Sequence, residues 1–523
     1  MSLVDLVMAA EAAQSGKAVR RTAYRHQHIA DRALVVVAFN LSGEAAAPLG
    51  LMYGTDSDPA KASLAVSAEP RNRESRFAAI NQFASDFVKF LAPHLVLKTE
   101  PKKGGGFRQT ASSTPQLIVP NRSTRSYLGT RLGRSLRYLG LGDTHDVPEE
   151  TQWTGAHLSW FAEHSNLPGQ STFLAMTESL SQHFVTGQSA LEDENLATLL
   201  AWIDGVPGDL LAELEDLERR AYGPVPNPDW ERKLEPIVKA YSDGLRSDDA
   251  EKTRVAFERV EKSVREALAE AFEATHRAIE ILRGVDPAAS VASRWGNDHW
   301  EWSDHARRSA KEIPRFAKRH DPLRAARTLQ RWSSAADALE TDQAFDDPLI
   351  MARLDAEGRC VTGTVDSIDT DNKEVKPGNK KASAVPLIAV SLTAPTRLLA
   401  GEVVRLTLDR RVRCVLRSID DSSATLAVTA QVKALRESGL GTGDEAMFVG
   451  LDPWEGMDPW APDETPWTHR ASLDETTSEL AGDVDDRAVA AVDDGAPDMT
   501  LDELGEVTLV GAVGPDDEPG VVL

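Results

Sequence analysis

At about residue 358 the apolar repeat changes from helical to strand-like, and this constrains the fold more than any other feature of the chain. Upstream, Phe257, Val260, Val264, Leu268, Phe272, Ile279 and Leu282 follow the period of an α-helix with one buried face. Downstream, "RCVTGTVDSI", "VPLIAVSL", "EVVRLTL", "RVRCVLRSI" and "ATLAVTAQV" are β-rich runs separated by the turn-prone "DTDNKEVKPGNKK", "TAPTRLLAG", "DR" and "DDSS". A helical stripe and a half-buried strand present their apolar atoms on different periods, so the two regions need separate cores. Five short strands within 358–435 predict a small β-barrel of the OB or SH3-like kind.

The rest of the chain divides by the same reasoning, and its 523 residues fit three or four domains at ~100–200 residues each. The runs "ALVVVAFNL", "PLGLMYG" and "SLAVSAEP" precede an amphipathic helix carrying Phe77, Ile80, Ala84, Phe87 and Leu91, which predicts a small α/β unit over 1–95. "KTEPKKGGGFRQTASSTPQ" reads as a basic flexible linker over 96–123. A helical domain is expected over 124–222 and a stalk of long helices over 223–357. In that stalk Asp248 and Glu251 resemble a capping box. Asp321 and Pro322 open a later helix whose Leu323, Ala326, Leu329, Trp332, Ala336 and Leu339 are expected to face inward. The fold class is therefore α+β and multidomain, closed by an acidic, poorly ordered tail over 436–523.

Charge is segregated along the chain. From Asp452 onward 20 acidic residues face only Arg470 and Arg487, so this stretch carries −18 of the net −24. By contrast, Lys98, Lys102, Lys103, Arg108, Arg122, Arg125, Arg131, Arg134 and Arg137 stand against Glu100 alone between residues 98 and 140. No apolar run approaches the ~20 residues of a membrane span, and the N-terminus has no positive region of a signal peptide, which predicts a cytoplasmic protein without membrane contact. Cys360 and Cys414 are too few for a disulfide framework or a zinc site and read as buried thiols.

Within the basic segment, "TRSYLGTRLGRSLRYLG" as a helix puts Leu128, Leu132, Leu136 and Leu139 on one face. Arg131, Arg134 and Arg137, with Tyr127 and Tyr138, fall on the other. Guanidinium groups along a ridge can each reach a phosphate oxygen, and phenol rings among them can stack on unpaired bases. The candidate nucleic-acid-binding residues are accordingly Lys102, Lys103, Arg108, Arg122, Arg125, Arg131, Arg134, Arg137, Tyr127 and Tyr138. The alternative is a solvated arginine face paired with the protein's carboxylates. Gly129 and Gly133 each cost a helix ~1 kcal/mol relative to Ala and weigh against it.

No catalytic or metal site is assigned, and no cofactor. "KKGGGFR" lacks the phosphate-loop pattern and reads as linker. "GNDHWEWSDHARR" holds Asp298, His299, Glu301, Asp304 and His305, but on a helix His299 and His305 point apart, which argues against a closed metal site. His157, Glu163, His164 and His183 lie in helical territory without an assignable partner, and His26 and His28 share a face only on a strand. "DPWEGMDPWAPDETPWTH" presents Trp454, Trp460 and Trp467 as candidate docking residues, for a partner surface or for the protein's own barrel.

The order of long helices at 248–283 and 321–345, barrel-like strands at 359–431 and a final "GEVTLVGAVGPDDEPGVVL" resembles the region before the motor in nonsense-decay-type superfamily 1 helicases. There, a helical stalk carries a small barrel. The resemblance implies that "PGVVL" corresponds to the strand before a glycine-rich phosphate loop, and that an ATP-dependent motor acts with this chain in cis or in trans. No Walker A, Walker B or motor arginine occurs in the 523 residues, so ATP hydrolysis is not implied for them. The expected function is a non-catalytic, nucleic-acid-binding accessory protein or helicase accessory region, using the basic segment and the barrel. The alternatives are a protein scaffold without nucleic-acid contact and a metal-dependent nuclease whose carboxylates come together only on folding.

Overall fold

The apolar run Leu34–Asn40 becomes strand β1 near the middle of a five-stranded sheet. The computed structural model describes residues 2–451 apart from 42–45, 56–60, 103–104, 140–146, 221, 315, 317–321 and 376–380. With β2 (Pro48–Gly54), β3 (Ser63–Val66), β4 (Leu117–Val119) and β5 (Phe173–Ala175), the sheet order is β3-β2-β1-β4-β5. Only β2 runs against the others, since β1 pairs in parallel with β4 and β4 with β5.

Helices cover both faces of this sheet, which is why β1 is apolar at nearly every position. Val35, Val37 and Phe39 join one core and Leu34, Val36 and Ala38 the other, as the two-residue period of a strand requires. The second core receives Phe83 and Phe87 from α1 (Arg73–Leu95), Leu128, Leu132 and Leu136 from the basic segment, and Leu158 and Phe161 from α3 (Glu149–His164). The basic segment is α2, built of Arg122–Ser126, a widened stretch Tyr127–Gly133, and Arg134–Leu136.

On the opposite face, α4 (Pro228–Arg246) packs on α5 (Ala250–Arg283), and α5 lies on the sheet through Val260, Val264, Leu268 and Phe272. Gly50 on β2 makes room, because a Cβ there would stand 2.4 Å from Val264. The 34-residue α5 is therefore a layer of the α/β body, and the expected stalk over 223–357 does not include it. Its cap is Asp249, whose side chain accepts from Lys252 N, one residue later than the sequence suggested. Strands β4 and β5 likewise carry the α/β unit well past residue 95. The expected linker contains β4 and a hairpin in which Leu97–Pro101 pairs with Phe107–Ala111.

Helix α6 (Val291–Ser309) returns to the second core through Trp302 and Ala306. Helix α7 (Pro322–Asp346) buries only Thr341 and Ala344, so its expected inward stripe is half-buried or exposed, and Leu329 is 61% exposed. Through α8 (Pro348–Ala356) the chain enters the barrel, where Ala344, Ile350 and Leu354 pack on Cys360, Val449 and Leu451.

The barrel is closed and has six strands, correcting the expected five: β6 (Cys360–Asp369), β7 (Leu387–Leu392), β8 (Val403–Leu406), β9 (Arg413–Ile419), β10 (Ser423–Ala430) and β11 (Glu445–Val449), in the order β6-β7-β10-β9-β8-β11. Strand β11 lies beyond the expected boundary at 435 and pairs with both β6 and β8. Five strands would leave two open edges, and "EAMFV" removes them. Cys360 and Cys414 are buried and unbridged, and burial pushes both thiols up to about 12. No described helix is long and apolar enough to cross a membrane.

Candidate functional site

Asn121 opens α2 by accepting the Thr124 N–H at 2.8 Å. The helix then repeats leucine and glycine every four residues, at Leu128, Leu132 and Leu136 and at Gly129 and Gly133. At 3.6 residues per turn a four-residue repeat drifts by about 40° per step, and the widened turns over 127–133 counter that drift, so all three leucines stay buried. The glycines let α3 approach closely: a Cβ on Gly129 would stand 2.5 Å from Ala162 Cβ, and one on Gly133 2.9 Å from Leu158 Cβ. From α3, Gly155 reciprocates, its added Cβ falling 2.3 Å from Arg137 N. Glycines that weigh against an isolated helix are what this packing requires.

The predicted ridge separates into free and engaged groups. Arg131 and Arg134 are exposed and make no ion pair among the described residues. Arg137 is half-buried, donates from Nη2 to the Tyr138 hydroxyl at 2.8 Å, and lies 4.8 Å from the Tyr138 ring and 5.5 Å from that of Phe316. Tyr138 is 44% exposed. Lys102 is exposed in the hairpin turn. Arg125 instead pairs with Glu178 at 2.6 Å, and Arg122 reaches the same carboxylate at 3.7 Å. Arg108 faces Glu100 at 3.4 Å and covers the Trp300 ring at 4.1 Å. Tyr127 is a correction: its ring is in the second core and cannot stack on a base, because the four-residue repeat turns it inward beside Leu128. Lys103, Trp454, Trp460 and Trp467 lie outside the described residues.

Histidines without a partner in the sequence find one across the fold. His157 Nδ1 and His305 Nε2 are 2.9 Å apart and both rings are buried. Burial pushes His157 down to about 3 and, with His157 and Arg308 nearby, His305 well below its ordinary value. His164 Nε2 lies 2.8 Å from Asp298 Oδ1, while Asp298 Oδ2 accepts the Ser171 N–H at 2.8 Å. A carboxylate only accepts, so Nε2 donates in this contact. The Trp160 ring stacks between these systems, 4.8 Å from His164 and 5.2 Å from His305.

These rings floor a cavity of about 870 Å³ between α3, α6 and α7. Phe316, Leu329 and Trp332 form its apolar wall, and Arg308, Lys311, Glu301 and Glu312 lie on its rim. Arg308 pairs with Asp304 at 2.6 Å and Arg331 with Glu301 at 2.7 Å.

A second network ties the N-terminal segment to α8. Asp347 Oδ2 accepts the N–H groups of Ala23 and Tyr24 at 2.7 and 2.9 Å and lies 3.2 Å from His26 Nε2. Its Oδ1 caps α8 through Leu349 N and Ile350 N. His183 Nε2 accepts the His26 N–H at 3.1 Å, and burial holds His183 at about 4. His299 hydrogen-bonds Thr114 and His305 faces His157, so this pair does not converge. No group of three or more His, Cys, Asp or Glu side chains is placed to hold a metal among the described residues. No protein-family model matches the chain, and neither a curated protein nor a solved structure is similar to it.

Proposed function

We infer that this chain is a non-catalytic nucleic-acid-binding protein that takes hold of single strands along α2, working beside an ATP-driven motor in cis or in trans. One observation carries the reading. In a protein of net charge −24, Arg131 and Arg134 stand exposed on one helix without a carboxylate partner among the described residues, and Arg137 beside them is laid against two aromatic rings. Phosphate oxygens satisfy such guanidinium groups without sequence specificity, and the half-exposed Tyr138 ring offers a stacking surface that a duplex would not use. Arg122, Arg125 and Arg108 already have carboxylates and are assigned no phosphate.

The test is fluorescence anisotropy with labelled single-stranded DNA, single-stranded RNA and duplex across a salt series. The variant R131A/R134A/R137A is expected to weaken single-strand binding and to flatten the salt dependence by about two, since each lost phosphate contact removes ~0.7 from the slope. No retention of any oligonucleotide in dilute buffer would falsify the reading, and so would an unchanged slope in the triple variant.

A further inference from the structure

We propose that the acidic stretch 452–523 lies against the ridge of Arg131, Arg134 and Arg137 on α2 when no strand is bound, and that a bound strand displaces it. The inference rests on the nucleic-acid reading above and adds the regulation of that site. Charge, the distribution of ion pairs and reach together single out this occupant.

The stretch 452–523 carries 20 acidic residues against Arg470 and Arg487 alone, a net of −18, while the rest of the chain carries only −6 of the net −24. Concentrated like charge repels itself and gains most from a surface of the opposite sign.

Arginines of the long helix α5 already have carboxylates of their own. Arg254 pairs with Glu251 at 2.6 Å, Arg265 with Glu261 at 3.1 Å and Arg277 with Asp204 at 2.7 Å. At the start of α2, Glu178 takes Arg125 and Arg122. Arg131 and Arg134, exposed and three residues apart, have no carboxylate among the described residues. A guanidinium fork engages carboxylate and phosphate oxygens through the same paired donors, so the acidic stretch and a strand compete for the same atoms.

Leu451, the last described residue, is 5% exposed and packs with Ile350 and Leu354 of α8 against the barrel. Residues 452–523 span up to ~240 Å when extended, whereas a compact body of about 450 residues is ~60 Å across. Reach therefore does not restrict the contact, and attachment to the same chain makes it independent of protein concentration. A strand displaces the carboxylates because it adds counterion release and bases that stack on the half-exposed Tyr138 ring.

The experiment uses the full chain and a full-length variant in which all 20 acidic residues of 452–523 are replaced by Asn or Gln. The first readout needs no nucleic acid: modification of individual arginines by phenylglyoxal, followed by mass spectrometry in ~20 mM and ~0.5 M salt. Arg131 and Arg134 are expected to react at least about threefold slower in the wild type than in the variant at the lower salt, and equally at the higher. Arg232, exposed on α4 and paired with Asp229, is the reference and should react equally in both proteins. Equal rates at Arg131 and Arg134 in the two proteins overturn the inference, and so does a slowing that Arg232 shares. The second readout is anisotropy with single-stranded DNA in ~20 mM salt, where the variant should bind at least about fivefold tighter than the wild type. Removing 20 acidic residues also weakens long-range repulsion of the strand, so the comparison is repeated in R131A/R134A/R137A, where the gain should shrink below about twofold. A gain of the same size with and without the ridge assigns the effect to net charge alone and overturns the inference. If Arg131 and Arg134 are protected while neither protein binds any strand, the nucleic-acid reading falls and the contact stands without that role.

Discussion

Acidification should unfold the α/β body well above the range where its carboxylates titrate. Burial holds His157 at about 3 and His183 at about 4, so both are neutral in the folded protein at pH 5, and it pushes His305 well below its ordinary value in the same direction. The surroundings reinforce this: His157 and His305 face each other, with Arg308 near His305, and His183 faces His26, Arg20 and Arg25. In the unfolded chain the same imidazoles take up protons near their ordinary value of 6.5. The unfolded state then binds more protons, and stability falls as pH drops below that value. At ~1.4 kcal/mol per pH unit His157 and His183 each cost about 2 kcal/mol by pH 5, about 4 kcal/mol together, and His305 adds in the same direction. That is comparable to the ~5–15 kcal/mol that stabilises a typical domain. Urea unfolding between about pH 7 and pH 5, followed by tryptophan emission, measures the loss. The probe is selective, because Trp160 and Trp302 sit in this core and the barrel strands contain no tryptophan. His157→Gln should remove one imidazole's share of the loss, about 2 kcal/mol by pH 5. A loss under about 1 kcal/mol, or a His157→Gln variant with the full wild-type slope, would refute the reasoning.

Two further outcomes follow from close contacts. Gly155→Ala should destabilise the body by about 1–3 kcal/mol despite the better helix propensity of alanine, because the new Cβ meets the backbone of Leu136 and Arg137, which cannot yield as a side chain can. Equal urea midpoints for variant and wild type would remove the argument that glycines set the α2–α3 distance. Asp347→Ala should cost about 3–5 kcal/mol by stranding the N–H groups of Ala23, Tyr24, Leu349 and Ile350 together with His26. Hydrogen exchange should then rise at those amides while the barrel strands keep their protection, and unchanged exchange at Ala23 and Tyr24 would count against the network.

Much of the architecture was legible because it rests on local periods. The run Leu34–Asn40, the leucine face of α2, the apolar stripe of α5 and five barrel strands all appear where the spacing of apolar residues puts them. The sixth strand was missed for want of a topological question rather than a residue signal: a five-stranded barrel has unpaired edges, and "EAMFV" is the next run able to fill them. The role of α5 was missed because periodicity reveals that a face is buried, not what buries it, and a stalk and a layer over a sheet carry the same stripe.

For the candidate site the division is sharper. From its own residues the chain determined that α2 has a leucine side and an arginine side, and that Arg131 and Arg134 fall on the latter, since those positions follow from the rise and turn of one helix. Only the tertiary structure decided which arginines have no carboxylate partner among the described residues. Glu178, which takes Arg125, is 53 residues away in sequence, and nothing local to either residue announces the other. The same holds for His157 with His305, 148 residues apart, for His164 with Asp298, 134 apart, and for His26 with Asp347, 321 apart. Backbone periodicity is a property of neighbours, whereas the partner of a buried polar group is set by strand order and helix packing over the whole body.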